Sequence, residues 1–269
     1  MLDPARLKHS DTHFGTPFRV GSTSYVYPDD ILPNVQRLAQ AGDVDDIELV
    51  FFEVDDGLNN LPDDKTLSVL IDLAAAHNLT YTVHLPLNLR LGSDGYTQHE
   101  SLVKAEKVIK TTLPLAPFAY VFHLDGADAG TPVWVERSLG ALERVIQWVP
   151  RPELLADENL ETWDPALLEP VLQALPISRT TDIGHLWRTG RDPLTVLDDW
   201  LPRTRVIHMH GIGERDHQSL ALMSRQRIDA VVAHLQAYPN VLTLEVFSTS
   251  DFFDSRASLL ASVQRVQHG

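Results

Sequence analysis

Tyr81-Thr-Val-His84 and Tyr120-Val-Phe-His123 are two short apolar stretches that each end on a histidine. Short runs rich in β-branched and aromatic residues are typical of buried strands. The same design, a short run that ends on His, Asp or Glu, recurs further along the chain: Leu154-Leu-Ala-Asp-Glu158, Arg179-Thr-Thr-Asp182, Arg205-Val-Ile-His-Met-His210 and Leu242-Thr-Leu-Glu245. A strand that ends on a polar group presents it at one edge of the sheet, so this pattern bears on both fold and chemistry.

These runs belong to a regular alternation of strands and helices. We predict strands at 18–23, 47–52, 81–85, 120–124, 154–158, 179–182, 205–210 and 241–246, and helices at about 34–41, 64–77, 100–113, 134–148, 164–174, 192–201, 225–237 and 253–267. Eight strand-then-helix units predict an α/β protein with the (β/α)8 TIM-barrel fold. An open doubly wound sheet uses the same alternation, but it requires a glycine-rich turn after the first strand, and residues 23–28 contain no glycine.

Composition narrows the class of protein. The net charge of −15 disfavours binding to duplex nucleic acid, and the lack of cysteine excludes disulfides and thiolate metal sites. We find no apolar run of the ~20 residues that a membrane span needs and no secretory-type leader, so we expect a cytoplasmic protein without a membrane partner. Residues 1–16 are predicted to be a flexible N-terminal extension, and residues 17–269 a single TIM-barrel domain.

The strand-end side chains are the candidate functional residues. Barrel enzymes build their sites at the C-terminal ends of the strands, so these groups are expected to meet at one mouth. Each histidine alone would more often be an ordinary core residue, but carboxylates are seldom buried without a partner or a metal. Imidazole and carboxylate together suit Zn²⁺, Mn²⁺ or Fe²⁺. The set predicts a metal site.

Two loops add further candidates. In Asp182-Ile-Gly-His185, Asp and His can reach adjacent metals if the turn folds over the mouth; the alternative is an aspartate that only caps the next helix. After the seventh strand, the glycine-containing segment 211–217 ends on Asp216 and His217, and a plain surface turn is its alternative. Glu158-Asn159 suggests a carboxylate that bridges two metals while Asn holds it in place.

Substrate binding is assigned to residues around this ring. We expect Arg188 and Arg191 to clamp a phosphate or carboxylate group, although surface ion pairs are an equally good interpretation. His210 and Glu53 are also assigned to substrate binding. Glu53 and Glu48 flank the run 49–52, and for Glu48 an orientation into the barrel stays open.

The ordered residue types resemble the xylose isomerase-like barrels, specifically the branch of apurinic endonuclease family 2 that includes endonuclease IV. The resemblance implies two or three divalent metal ions per chain. It implies one metal held by Glu158, Asp182, His208 and Glu245, a second by His84, His123 and Glu158, and a third by His185, Asp216 and His217. One departure is that Asp216 and His217 are adjacent, whereas endonuclease IV has one residue between the corresponding pair.

Several phrases look more specifically like the cobamide-remodelling phosphodiesterases of this branch. They are Gly21-Ser-Thr-Ser-Tyr25, Asp30-Ile-Leu-Pro-Asn34, Ile47-Glu-Leu-Val-Phe-Phe-Glu53, Thr82-Val-His-Leu-Pro-Leu87, Asp182-Ile-Gly-His185, Arg205-Val-Ile-His-Met-His-Gly211, Asp216-His-Gln-Ser-Leu220 and Leu242-Thr-Leu-Glu-Val-Phe247. This similarity implies a metal-dependent phosphodiesterase that hydrolyses the nucleotide-loop phosphodiester of cobamides, with a corrinoid as its small-molecule substrate. Glu158 and Glu245 are the predicted catalytic residues.

Three other functions stay open. In a sugar or sugar-phosphate isomerase or epimerase, Glu158 and Glu245 would exchange a proton with the substrate. An endonuclease IV-like DNA repair nuclease would share the metals, but neither basic loops nor an intercalating segment is evident. A protein that binds corrinoids without cleaving them is the third possibility.

Overall fold

Eight parallel strands close into a barrel in the computed structural model, which describes residues 12–52, 54–55, 57–95 and 98–268. The strands are β1 (Arg19–Thr23), β2 (Asp46–Val50), β3 (Thr80–His84), β4 (Ala119–Phe122), β5 (Leu155–Glu158), β6 (Ser178–Asp182), β7 (Thr204–Met209) and β8 (Val241–Leu244). Each pairs in parallel with the next, and β8 pairs with β1. The predicted (β/α)8 fold is therefore confirmed.

Helices follow the strands and cover the outside of the barrel. They are α1 (Ile31–Ala41), α2 (Asp64–His77), α3 (Glu100–Thr112), α4 (Pro132–Ile146), α5 (Glu169–Ala174), α6 (Ile183–Arg188), α7 (Leu194–Trp200), α8 (Arg225–His234) and α9 (Thr249–His268). The sequence did not predict α6, because its six residues are too few to show helical periodicity. Among the described residues, no helix is long and apolar enough to cross a membrane.

The hydrophobic core has two parts. The larger lies between the strands and the helices, where the hydroxyl of Tyr81 donates to the carbonyl of Leu70 in α2 (2.8 Å). A smaller cluster includes Val121, Ala156 and Val206, each two residues before a polar residue at the strand end and therefore on the same inward face. This apolar layer closes the barrel interior beneath the mouth.

The N-terminal segment assigned to a flexible extension is described only from residue 12. The His13 side chain lies 2.7 Å from the Asp45 carboxylate, and Thr16 is buried. Residues 12–16 thus pack on the N-terminal end of the barrel, and residues 1–11 lie outside the described residues.

Candidate metal centre

Most of the candidate ligands lie at the C-terminal end of a strand or directly after it. His84, Glu158 and Asp182 end β3, β5 and β6, whereas His123 and Glu245 directly follow β4 and β8. Among the described residues, three groups of His, Asp and Glu have ligand atoms within 4.8 Å of one another: Glu158, Asp182, His208 and Glu245; His84, His123 and Glu158; and His185, His210, Asp216 and His217. The barrel therefore brings together all nine predicted metal ligands.

The central cluster consists of Glu158, Asp182, His208 and Glu245, all buried. The Nδ1 atom of His208 lies 3.1 Å from the Glu158 carboxylate and 3.0 Å from that of Glu245. Three carboxylates around one imidazole are a donor set that suits a divalent cation, because carboxylates crowded in a buried site need a compensating positive charge.

Glu48 supports this cluster from below. It is completely buried in β2, and its carboxylate lies 2.8 Å from Nε2 of His208. A carboxylate on the far ring nitrogen orients an imidazole and raises its basicity as a metal ligand. No role was assigned to Glu48 from the sequence; the available signal was a charged residue inside an apolar run.

The second cluster shares Glu158 with the first. Glu158 Oε2 lies 2.9 Å from His123 Nε2 and 3.4 Å from His84 Nε2, while Oε1 faces His208. The two oxygens of this carboxylate therefore face different clusters, the arrangement that a bridging ligand requires. The rings of His84 and His123 are in edge contact, with centroids 4.9 Å apart.

The third cluster contains His210 in addition to the three predicted ligands His185, Asp216 and His217. His210 was assigned to substrate binding, but its ring is fully buried, with Nε2 3.4 Å from Asp182. The carboxylate of Glu161, which had no assigned role, lies 3.4 Å from His185 Nε2.

Two backbone features make the third cluster possible. His217 has a left-handed backbone with φ of 50°, which turns the chain so that the adjacent residues Asp216 and His217 both face the cluster. A Cβ atom at position 184 would lie 2.2 Å from the His210 ring, so only glycine leaves room for that ring against α6. The departure from the endonuclease IV spacing is thus accommodated by the turn.

Hydrogen bonds hold three of the rings with Nε2 towards carboxylates of the clusters, namely Glu158, Asp216 and Asp182. Nδ1–H donates to a backbone carbonyl in each: His84 to Leu85 (2.9 Å), His185 to Asn159 (2.9 Å) and His210 to Gly211 (3.1 Å). Such bonds select the tautomer in which Nε2 carries the lone pair.

Asp182 caps the next helix, as one interpretation of the sequence expected, and still leaves one carboxylate oxygen available. Its Oδ1 accepts from the backbone N–H of His185 (2.7 Å) and so caps α6, whereas Oδ2 is buried without a hydrogen-bond partner. Asn159 holds Asp182 in place, because its side-chain amide exchanges two hydrogen bonds with the Asp182 backbone. The cap and the Asn159 amide therefore fix the position of the Asp182 carboxylate.

The electrostatics of the centre are those of a cation site. Burial alone would raise the pKa of Glu158, but the charges of His208 and His123 hold it well below its usual range. Burial alone would lower the pKa of His84, yet the Glu158 hydrogen bond and nearby carboxylates raise it to about 9. Asp182 Oδ2 and His210 Nε2 are buried without hydrogen-bond partners, and Glu245 Oε2 lies 3.0 Å from His208 Nδ1. These residues fit divalent metal ions, because ligand atoms that lack hydrogen-bond partners converge where a cation can satisfy them.

The predicted substrate-binding residues lie in different places. Arg188 stands beside the third cluster, with Nε 3.7 Å from Asp216, and is partly exposed. Arg191 pairs instead with Asp164 on the surface (3.0 Å). Glu53 lies outside the described residues.

Comparisons with known proteins find similarity at the level of the fold. No protein-family profile and no curated protein sequence matches this chain. A D-tagatose 3-epimerase-like protein matches with a TM-score of 0.75 and 16% identity, covering 93% of this chain and 98% of the other. Endonuclease IV from Thermus thermophilus matches with a TM-score of 0.70 and 15% identity, covering 92% of this chain and 99% of the other.

An L-ribulose 3-epimerase matches with a TM-score of 0.70 and 17% identity, covering 93% of this chain and 95% of the other. All three likenesses extend over nearly the whole barrel. The chain accordingly has the fold of these epimerases and of endonuclease IV, the xylose isomerase-like TIM barrel.

Proposed function

We propose that this protein is a metal-dependent phosphodiesterase that hydrolyses the nucleotide-loop phosphodiester of cobamides. The observation that carries the proposal is the juxtaposition of three ligand clusters at one mouth, two of which share Glu158. Adjacent divalent cations are suited to phosphodiester cleavage, because the attacking and the leaving oxygen can both be stabilised. A structural metal site would need only one closed set of ligands.

Corrinoid specificity rests on the sequence phrases that resemble cobamide-remodelling phosphodiesterases, distributed from residue 21 to residue 247. DNA is a poorer substrate for this chain, since the net charge of −15 would repel a polyanion away from the metals. Endonuclease IV shares the fold, so phosphodiester chemistry on this scaffold needs no change of architecture.

The residues of the mouth have distinct roles in this proposal. Glu158 would serve both the first and the second site, and Glu245, Asp182 and His208 would complete the first. His84 and His123 would complete the second, and the third would be held by His185, His210, Asp216 and His217. When bound, divalent cations supply neutralisation of the phosphate charge and a lower pKa for a nearby water molecule.

In this proposal, Arg188 holds the substrate. Its guanidinium group is partly exposed next to Asp216, so it can donate to a phosphate oxygen that faces the third cluster. Arg191 already pairs with Asp164 and has no part in this proposal. Asn159 keeps Asp182 and His185 in position through its side-chain amide and its backbone carbonyl, respectively.

A sugar epimerase is the second candidate. The central cluster holds two glutamates, Glu158 and Glu245, in one metal-binding group, as proton exchange on either side of a sugar carbon requires. The epimerases among the structural neighbours support this candidate directly. It leaves the second and third clusters without a use.

Metal content and product analysis distinguish the two candidates. The purified protein is dialysed, its metals are counted by mass spectrometry, and it is incubated with a cobamide and, separately, with ketohexoses. Two or three metals per chain and release of a corrinoid without its nucleotide base support the phosphodiesterase. One metal per chain, an intact cobamide and an epimerised sugar would reject it in favour of the epimerase.

A further inference from the structure

Large apolar side chains lie exposed on one side of the mouth. The exposed residues Phe52 (60%), Phe247 (39%) and Leu87 (36%) make up this apolar crescent together with the half-buried Tyr25. The rings of Tyr25 and Phe52 are 5.2 Å apart, and those of Phe52 and Phe247 6.3 Å. Grouped exposed aromatic rings are costly in water and mark a surface that binds something.

The crescent occupies one arc of the barrel. Its members follow β1, β2, β3 and β8, which are neighbours in the closed sheet. The third cluster comes from the segments after β6 and β7, on the other side of the mouth. The exposed aromatic side chains are therefore concentrated on the arc from β8 to β3, whereas the third cluster lies on the arc of β6 and β7.

The apolar crescent is continuous with the metal centre. Phe52, Leu87 and Phe247 line a cavity of about 340 Å³ together with His84, His123 and Glu245. The Phe247 ring is also in edge contact with that of His217, at 5.5 Å. On the outer side, Tyr25, Phe52 and Phe247 border a second cavity of about 760 Å³. A molecule that reaches the metals can thus rest on the crescent.

The residues that line these two cavities indicate which kind of ligand could bind in them. Among the described residues that line the two cavities, none is Lys or Arg. A second phosphate would have no cation to pair with, whereas a large ring with apolar faces could bury its surface against three aromatic side chains. The crescent therefore favours a bulky ring over a polynucleotide.

We propose that the apolar crescent is the subsite that holds the corrin macrocycle, with its ring against Phe52 and Phe247 while the phosphodiester faces the clusters. This proposal rests on the proposed function and identifies the residues that give it substrate specificity. Remote contacts of this kind position the reacting group, so they lower KM for bulky substrates and leave small diesters without the benefit.

The test compares two substrates and one ligand. Phe52→Ala, Phe52→Tyr and wild type are assayed with a cobamide and with methyl 4-nitrophenyl phosphate, a diester too small to span the crescent. For Phe52→Ala we expect KM for the cobamide to rise about tenfold, with a smaller change in kcat, as for loss of one buried aromatic contact. Phe52→Tyr keeps the ring and should restore KM. Ile71→Ala, an exposed apolar position in α2, is the matched control.

Equilibrium binding separates this subsite from catalysis. Cobinamide, a corrinoid without the nucleotide loop, is titrated into the metal-loaded protein and followed by its visible absorbance. Binding to wild type and about tenfold weaker binding to Phe52→Ala support the subsite even if no diester is cleaved, in which case only the proposed function fails. Lack of cobinamide binding to wild type, or equal affinity and KM in Phe52→Ala, would overturn the subsite, even if wild type cleaves cobamides.

Discussion

Asp157 and Glu158 are neighbours in β5 and equally buried, yet they face different surroundings. Burial raises the pKa of Asp157 well above its usual range, and the charge of Arg179 lowers it only in part. Burial acts on Glu158 in the same direction, but His208 and His123 outweigh it and bring the pKa well below the usual range. Asp157 lies on the outer, helix-facing side of the strand, where burial favours its protonated form, whereas the histidines around Glu158 favour its ionised form.

The contrast shows that burial of an acid does not by itself mark a functional site. Asp46, inside the barrel below the mouth, behaves like Asp157: burial raises its pKa to about 7 although Thr80 donates a hydrogen bond to it (2.6 Å). At the mouth, converging histidines keep Glu158 and Glu245 ionised. The direction of the shift distinguishes acids of the scaffold from acids ready to bind a cation.

The largest expected difference is between two variants, Glu158→Gln and Asp157→Asn, in which each acid is replaced by its amide. Glu158→Gln removes the charge shared by two clusters, so we expect kcat/KM to fall by about 10³-fold or more and the metal content to drop. Asp157→Asn changes a side chain outside the mouth whose protonated form burial favours, so it should leave kcat/KM within about twofold. Activity assays and metal analysis on both variants check this, with thermal unfolding to confirm the fold. Equal losses in the two variants would remove the distinction drawn between them.

A second substitution tests whether the third cluster depends on space at the helix. In Gly184→Ala the new Cβ would strike the His210 ring, which has to move away from the cluster. Because alanine is the better helix former, α6 itself should not be weakened. We expect the metal content to fall by one ion per chain and kcat/KM to fall about 100-fold, comparable to loss of a ligand-orienting group.

The control for this variant is Gly57→Ala, a position where an added Cβ meets no atom within 4 Å. It should retain full metal content and activity. If Gly184→Ala keeps all its metals, His210 is not a ligand and its original assignment to substrate binding is the better one.

A smaller effect is expected one layer below the ligands. Glu48→Gln keeps an acceptor for His208 Nε2–H but removes its charge, so we expect metal affinity to fall about 10- to 100-fold while saturating metal restores kcat. Metal titrations of the variant and the wild type measure this. A fall in kcat that excess metal does not recover would assign Glu48 to the chemistry instead of to the support of His208.

Strand-end residues such as His84 and Glu158 could be placed from the sequence, because a parallel barrel brings the C-terminal ends of all its strands to one mouth. Contacts between side chains across the barrel could not be predicted from the sequence, because they depend on the direction of each side chain. Glu48 and His208 are 160 positions apart, and nothing local shows that their side chains meet. The role of His210 depends on the space that Gly184 leaves, which becomes visible only when α6 is packed against β7.

The two arginines show that contacts between loops could not be predicted from the sequence either. Arg188 and Arg191 looked equivalent in the sequence, but α6 ends at Arg188, and Arg191 lies beyond it, paired with Asp164. An ion pair between loops depends on where both loops lie, and no periodic pattern encodes this. The fold, and the residues that converge at the mouth, could therefore be predicted from the sequence, whereas the contacts that support them require the packed structure.

The last prediction concerns pH, because protons and metal ions compete for the same histidine rings. Burial alone would lower the pKa values of His84, His185 and His210, but the surrounding carboxylates raise each to about 9. Without metal, these rings carry protons in the folded state below about pH 9, and the stability this contributes is complete below about pH 6.5 and lost as pH rises through about 9. Metal binding requires neutral rings, so it releases protons and becomes stronger over the same interval.

The affinity for metal should therefore rise between about pH 6.5 and about pH 9, by up to about tenfold per pH unit for each displaced proton. The metal-induced increase in Tm should grow over the same interval, because tighter binding stabilises the folded state more. Thermal unfolding with and without Mn²⁺ across this range measures it, and calorimetry in buffers of different ionisation enthalpy counts the protons released. Asp157→Asn should follow the wild-type profile, since its side chain lies outside the mouth. A metal-induced shift in Tm that is independent of pH would contradict this prediction. It would mean that the cation binds without displacing protons from these histidines.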